Sequence, residues 1–115
     1  MEVKNSLDTE LLLSKEQLLD VLTKDIDRLR TKYKVNFLGL FGSYSRGEQN
    51  ASSDVDVLVD FEESPNFFEF MDIAEELEEL IRKPVDLVSK NSLRGNRGKI
   101  ILEEVIEIWP QKEIT

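Results

Sequence analysis

Gly39-Leu40-Phe41-Gly42-Ser43-Tyr44-Ser45-Arg46-Gly47, followed after a polar gap by Ser53-Asp54-Val55-Asp56-Val57-Leu58-Val59, is the stretch on which the fold turns. The apolar run from Val35 to Phe41 predicts a short buried strand ending at Gly42. A second strand is expected over Asp54–Phe61. Strands alternate their faces, so Asp54 and Asp56 should share one face while Val55, Val57 and Val59 take the other. One face is then oily and buried, and the opposite one carries paired acids beside a glycine-containing loop. Oxygen donors in that setting suit Mg²⁺ and the phosphates of a nucleotide.

Upstream, Ser14-Lys15-Glu16-Gln17 reads as a capping box, in which the Ser14 hydroxyl accepts from the Gln17 amide while Gln17 reaches back. Leu18, Leu22, Ile26, Leu29 and Tyr33 follow at three- and four-residue steps and form one apolar helix face. Lys24, Asp25, Asp27, Arg28 and Arg30 fall largely off that face, as a solvated surface would. Residues 1–13 show no clear period and read as a mobile arm or an interaction segment.

Downstream, Ser43–Ser53 is small and polar, fit for a short helix or a loop. At Ser64-Pro65-Asn66, Pro65 suits a first helical turn and Ser64 or Asn66 a cap. Phe67, Phe70, Met71, Ala74, Leu77 and Ile81 make the next stripe, expected to be core, which ends before Pro84. Val85-Asp86-Leu87-Val88 is a third strand with one acid in an apolar run. The polar segment Ser89–Lys99 carries Gly95, Gly98, Lys90, Arg94, Arg97 and Lys99. Ile100, Ile101, Leu102, Val105 and Ile106 suggest a final helix stopped near Pro110. The order helix, strand, strand, helix, strand, helix predicts an α/β (α+β) fold: a small mixed β-sheet flanked by helices, one domain over residues 1–115.

Composition narrows the chemistry. Hydrophobic residues make up 40% and charged residues 34%, the balance of a globular chain. No apolar run approaches the roughly 20 residues that span a bilayer. The first residues lack the basic-then-apolar layout of a secretory signal, so the cytoplasm is the expected location. With no cysteine and no histidine, thiolate nucleophiles, Cys/His zinc sites and Ser-His-Asp triads are excluded. Catalysis would have to run on carboxylates, hydroxyls, Lys/Arg and a hard metal ion. The net charge of −9, from 24 acidic and 15 basic residues, argues against a nucleic-acid polymer as main ligand.

If Asp86 sits beside Asp54 and Asp56, three carboxylates converge. Two unit charges roughly 6 Å apart repel by about 3 kcal/mol at an effective dielectric of about 20. Such a cluster calls for a cation, Mg²⁺ or Mn²⁺ by its donors, or for a raised pKa in one acid. On the loop side, Gly42 allows close backbone approach to a phosphate, Ser43 can donate to its oxygens, and Arg46 can grip it in two-point fashion. A triphosphate held between the two sides would be open to in-line attack at phosphorus, with Asp86 helping to deprotonate the attacking hydroxyl. Each part alone is commonplace: a Gly-Ser pair is usually a turn, and Asp-x-Asp on a strand is commonly a solvated face. Their order and spacing within one short chain carry the weight.

The stretch from Gly39 to Gly47 and from Ser53 to Val59 resembles the signature of the DNA polymerase β-type nucleotidyltransferase superfamily, more narrowly its minimal nucleotidyltransferases. Pro84-Val85-Asp86-Leu87-Val88 is similar to that family's third-acid strand. The resemblance implies a polymerase β-like fold and transfer of AMP from ATP with release of pyrophosphate. It implies that Gly42 and Ser43 contact the triphosphate, that Asp54, Asp56 and Asp86 bind the metal, two Mg²⁺ ions with ATP bound, and that Asp86 assists the nucleophile. Arg46 and Ser53 become supporting nucleotide-binding positions.

Many minimal nucleotidyltransferases of this length are antitoxins that adenylylate a tyrosine of a helical HEPN-type ribonuclease toxin. A hetero-oligomer with such a toxin, with no membrane and no direct nucleic-acid partner, is the expectation carried over. The charge of −9 would aid docking to a basic partner, and no second domain is evident to hold a small acceptor. Two other functions compete: an antitoxin that neutralises by binding alone, and an antibiotic-type small-molecule transferase that borrows a partner subunit.

Overall fold

Ser14 opens the computed structural model, which describes residues 14–108; the expectations for residues 1–13 and for a stop near Pro110 lie outside it. The Ser14 hydroxyl accepts from the Gln17 amide at 3.0 Å, and the Gln17 side chain accepts from the Ser14 amide at 2.9 Å. This capping box starts helix α1, Lys15–Tyr33. Its stripe of Leu18, Leu22, Ile26 and Leu29 is fully buried, as the spacing predicts. Burying each of these side chains stabilises the fold by roughly 1.5–3 kcal/mol before entropy is counted.

The remaining elements are β1 (Val35–Phe41), the single-turn helix α2 (Ser43–Arg46), β2 (Val55–Phe61), α3 (Phe67–Ile81), β3 (Val85–Ser89), a 3-10 turn (Lys90–Ser92), α4 (Gly95–Glu104) and β4 (Ile106–Glu107). They build a four-stranded sheet in the order β3-β2-β1-β4. β1 runs antiparallel to β2 and β4, while β2 and β3 run parallel across the α3 connection. The expected mixed sheet flanked by helices is therefore present. Among the described residues, no helix is long and apolar enough to cross a membrane.

The main core lies on the sheet face covered by α1 and α3. It joins the α1 stripe to Val35, Leu38, Leu40, Tyr44, Val55, Val57, Val59, Ile73, Leu77 and Ile81. Val35 and Leu38 share that face despite their odd spacing because the β1–β2 register shifts between Val35 and Phe37. Outside the core, Glu76 of α3 ties the helices together by pairing with Arg28 and Lys32 of α1 and accepting from the Tyr33 hydroxyl. Burial opposes ionisation of Glu76, but the bonds from Tyr33, Arg28 and Lys32 outweigh it and hold its carboxyl near 2.

Several sequence expectations need correction. β2 begins at Val55, so Asp54 precedes the strand. The acid-bearing face is not wholly open: Leu58, in step with Asp56, is fully buried with Phe41 and Ile101 in a second, smaller cluster under α4. Along α3 the core stripe is Ile73, Leu77 and Ile81, whereas Phe67, Phe68 and Met71 stand out at 69%, 76% and 43% exposure. Asn66 is the N-cap, accepting from the Glu69 amide at 2.8 Å, and Pro65 falls before it rather than in the first turn. Helix α4 ends at Glu104; Val105 is extended and Ile106 enters edge strand β4, where pairing to Leu40 offers the backbone partners that one more helical turn would have used.

These assignments make opposite predictions for two large apolar residues of α3. Ile73→Ala should cost about 2–5 kcal/mol in urea unfolding, through lost burial and the cavity left behind. Phe68→Ser should stay within about 0.5 kcal/mol of the parent.

Candidate active site

The parallel pairing of β2 with β3 sets Asp56 opposite Asp86, and the antiparallel pairing of β1 with β2 sets Phe41 opposite Asp56. Phe41, Asp56 and Asp86 thus form one row across three strands, and Gly42 follows directly from its first member. Two contacts outside the ladder secure the start of β2: the Val55 amide donates to the Pro84 carbonyl at 3.0 Å, and buried Lys83 Nζ donates to the Ala51 carbonyl at 2.9 Å. Asp54, one residue before the strand, and Asp86 are exposed, while Asp56 is half-buried.

Gly42 has φ 76° and ψ −151°, a backbone state that side-chain-bearing residues rarely adopt. Space demands glycine as well, because a Cβ here would collide with Oδ2 of Asp56. The closeness expected between Gly42 and a phosphate is, within the chain, closeness to the central acid. From Gly42 the chain turns into α2, with the Ser45 and Arg46 amides donating to the Gly42 carbonyl at 3.1 and 3.2 Å. Tyr44 drops wholly into the main core and anchors the loop from below, while Ser43 stays partly exposed at the first turn. The Tyr44 anchor is a residue that sequence reasoning passed over inside the motif itself.

Electrostatics single out Asp56. Burial, then the charges of Asp86 and Asp54, push its carboxyl up to about 6, with Arg46 and Arg97 pulling the other way. The three sequence-chosen acids therefore share one field. Among the described residues, no three carboxylates are gathered closely enough to form a ready-made metal cage. The set nonetheless fits a hard cation: its donors are oxygens, its central member is held against ionisation by burial and by the other two acids, and its outer members are exposed.

The supporting positions fare differently. Arg46 is engaged inside the chain, donating from Nε to Glu48 at 2.9 Å and from Nη1 to Glu104 at 3.0 Å. Ser53 closes a turn, its hydroxyl accepting from the Asn50 amide at 2.9 Å. The basic group 90–99 splits up. Lys90 Nζ lies 4.2 Å from the Phe37 ring centre, Arg94 donates to the Asn91 and Leu93 carbonyls, and only Arg97 acts on Asp56. Glu104, absent from the sequence reading, accepts from the Gly42 amide at 2.8 Å. The signal available was two acids in the last turn of a helix, where the macrodipole disfavours them and an outside donor is needed.

Comparison with known proteins bears on the family and the fold. The family described as polymerase beta, nucleotidyltransferase matches residues 23–113. The protein adenylyltransferase MntA of Thermococcus cleftensis is 43% identical over 97 residues, covering 84% of this chain and 98% of that protein. A solved structure described as a minimal nucleotidyltransferase superimposes with a TM-score of 0.69 at 30% identity, covering 82% of this chain and 95% of that one. A chain from a toxin-antitoxin crystal structure with AMP-PNP shares the fold with a TM-score of 0.63 at 24% identity, covering 87% and 76%.

The raised Asp56 carboxyl sets a pH signature in metal-free protein. An acid whose folded pKa lies above its unfolded one destabilises the fold at high pH, and the penalty fades as pH falls through the folded value. Asp56→Asn should therefore melt higher than the parent at pH 8 without Mg²⁺. The gap should close as pH drops from about 6 towards the ordinary carboxylate range. A gap that stays constant over that window in thermal denaturation would contradict the assignment.

Proposed function

The chain belongs to the polymerase beta nucleotidyltransferase family, and from that premise we propose that it transfers AMP from ATP to a hydroxyl of a partner protein. The acceptor is a tyrosine of a HEPN-type ribonuclease toxin, with which the chain forms a hetero-oligomer as its antitoxin. The observation that carries this reading is the juxtaposition of Asp56 with Asp86 across paired strands, beside a Gly42 backbone that only glycine can supply. Further support comes from a relative named as a protein adenylyltransferase and from a fold shared with a chain of a toxin-antitoxin complex. The net charge of −9 suits a basic RNA-cutting partner.

Asp54, Asp56 and Asp86 would hold magnesium, two ions with ATP bound, which supplies neutralisation of the phosphate charge. The Gly42-Ser43 loop binds and orients the triphosphate, and the Ser43 hydroxyl donates to a phosphate oxygen. Asp86, the exposed member of the row, takes the proton of the acceptor hydroxyl. The acceptor oxygen then bonds to the α-phosphorus as the bond to the leaving pyrophosphate breaks. Ser53 acts through the turn ahead of Asp54, and Arg46 through the loop it braces, each one step removed from the phosphate.

A second reading, neutralisation by occupancy alone, draws on the exposed Phe67, Phe68 and Met71, which offer a partner an apolar hold that catalysis does not need. One experiment separates the two. ATP labelled at the α-phosphate, Mg²⁺ and the co-encoded neighbour protein should yield labelled neighbour with wild-type enzyme. EDTA, or Asp54→Ala combined with Asp56→Ala, should reduce labelling at least a hundredfold. Undiminished labelling by the double variant would refute the site. Full toxin neutralisation in cells by that variant would favour occupancy.

A further inference from the structure

Glu104 reaches from the last turn of α4 into the Gly42 loop with both carboxylate oxygens. Oε2 accepts the Gly42 amide at 2.8 Å, and Oε1 accepts Arg46 Nη1 at 3.0 Å. Gly42 is consequently held from two sides, with Asp56 against its Cα and Glu104 on its N–H. Its carbonyl in turn receives the Ser45 and Arg46 amides and, at 2.9 Å, the Ser45 hydroxyl. The start of α2 is therefore tied to the Gly42 backbone, whose amide is held by Glu104. Arg46, shared between Glu48 and Glu104, closes the brace.

Glu104 has little freedom to leave. Three residues earlier, Ile101 is buried with Phe41 and Leu58, and Val105, next in the chain, packs against the same cluster. The Val105 amide donates to the Ile101 carbonyl at 3.0 Å, which keeps the helix end closed. The Glu104 side chain itself retains only 19% exposure. A carboxylate meant to swing away when an anion arrives would sit on a looser segment. One anchored on both flanks and joined to a backbone donor and a guanidinium is built to stay.

We propose that Glu104 is a positioning residue for nucleotidyl transfer, holding the Gly42-Ser43 loop in its phosphate-accepting shape through the Gly42 amide and Arg46. The proposal rests on the transferase function for the nature of the ligand, and on the hydrogen bonds for the role. It also assigns α4 a part in nucleotide binding without direct contact. Glu104→Ala removes both acceptors; Glu104→Gln keeps the side-chain shape but only one oxygen, and so preserves at most one of the two bonds.

The test titrates Mg·AMP-PNP calorimetrically into wild-type protein, Glu104→Ala, Glu104→Gln and the exposed neighbour control Glu103→Ala, alongside transfer kinetics and ¹⁵N–¹H spectra. The expected result is a loss of affinity, and a matching rise in KM for ATP, on the order of tenfold for Glu104→Ala and smaller for Glu104→Gln. KM for the acceptor protein and the behaviour of Glu103→Ala should be unchanged. The Gly42 amide proton should move upfield in both Glu104 variants. If Glu104→Ala fails to fold, the near-isosteric Glu104→Gln carries the test alone. Tighter nucleotide binding by the variants would overturn the proposal and make Glu104 an internal competitor of phosphate. Unchanged affinity beside a functional wild type would overturn it while sparing the transferase function. Wild-type protein that binds no Mg·AMP-PNP would overturn both.

Discussion

Strand register is the constraint from which the site follows. Phe41, Asp56 and Asp86 stand in one row because β1 pairs antiparallel and β2 parallel at those residues. The side-chain period of a strand is two, so a slip of one residue would send Asp56 into the main core and bring Val55 or Val57 to the acid edge. Burying an unpaired carboxylate among leucines costs several kcal/mol, roughly, which penalises the slipped pairing strongly. Register also decides the glycine. Gly42 follows Phe41, which pairs with Asp56, and as the chain turns out of the strand at φ 76° a Cβ on Gly42 would collide with that carboxylate. The motif's glycine and its second acid are two ends of one steric fact.

The two sheet faces are covered unequally, and the inequality places the chemistry. Helices α1 and α3 seal one face with a broad core, while on the other Ile101 of α4 packs over Phe41 and Leu58 in a small cluster edged by Val88, Leu93 and Val105. The small cluster stops short of Asp56, which is left half-buried at its rim. Complete cover would have neutralised the acid, and full exposure would have left its pKa near the solution value. At the rim it remains reachable while burial and two like charges hold it near 6. A cation bound there would offset the two like charges that face Asp56.

Much of this was legible in the sequence because it depends on local periodicity. The capping box at Ser14, the buried stripe of α1, the three strands and the pairing of Asp56 with Asp86 all follow from spacing and residue type over a few positions. The failures share a cause in contacts between distant segments. Spacing and size put Phe67 and Met71 on the α3 stripe, but Ile73, one step round the helix, is the residue buried in the main core. Nothing local distinguishes these choices; packing against the sheet and α1 does. Val105 and Ile106 continue an apolar run that could extend a helix, yet an open β1 edge captures the chain. Glu104 is 62 residues from its backbone partner Gly42, and its bond is visible only once the chain has closed.

Charge balance around the row carries one more consequence. Asp54, Asp56, Asp86, Glu48 and Glu104 outnumber the cations among them, Arg46, Arg97 and Lys15, whose ammonium donates to the Ser45 carbonyl at 3.2 Å, and Arg46 is already spent on Glu48 and Glu104. A bare triphosphate approaching this edge would meet net repulsion, which the overall charge of −9 deepens. A bare cation would be drawn in but would find two of its donors in open solvent, where holding them in one geometry costs side-chain entropy. Each ligand removes the other's obstacle, since the cation screens the acids and the phosphates complete its oxygen shell. Metal and nucleotide should therefore bind with strong positive coupling, and by linkage each must raise the other's affinity by the same factor. On the proposed function Glu104 would fit this scheme: it absorbs the positive charge of Arg46 within the loop, which would leave attraction of the phosphates to the metal and their orientation to the backbone.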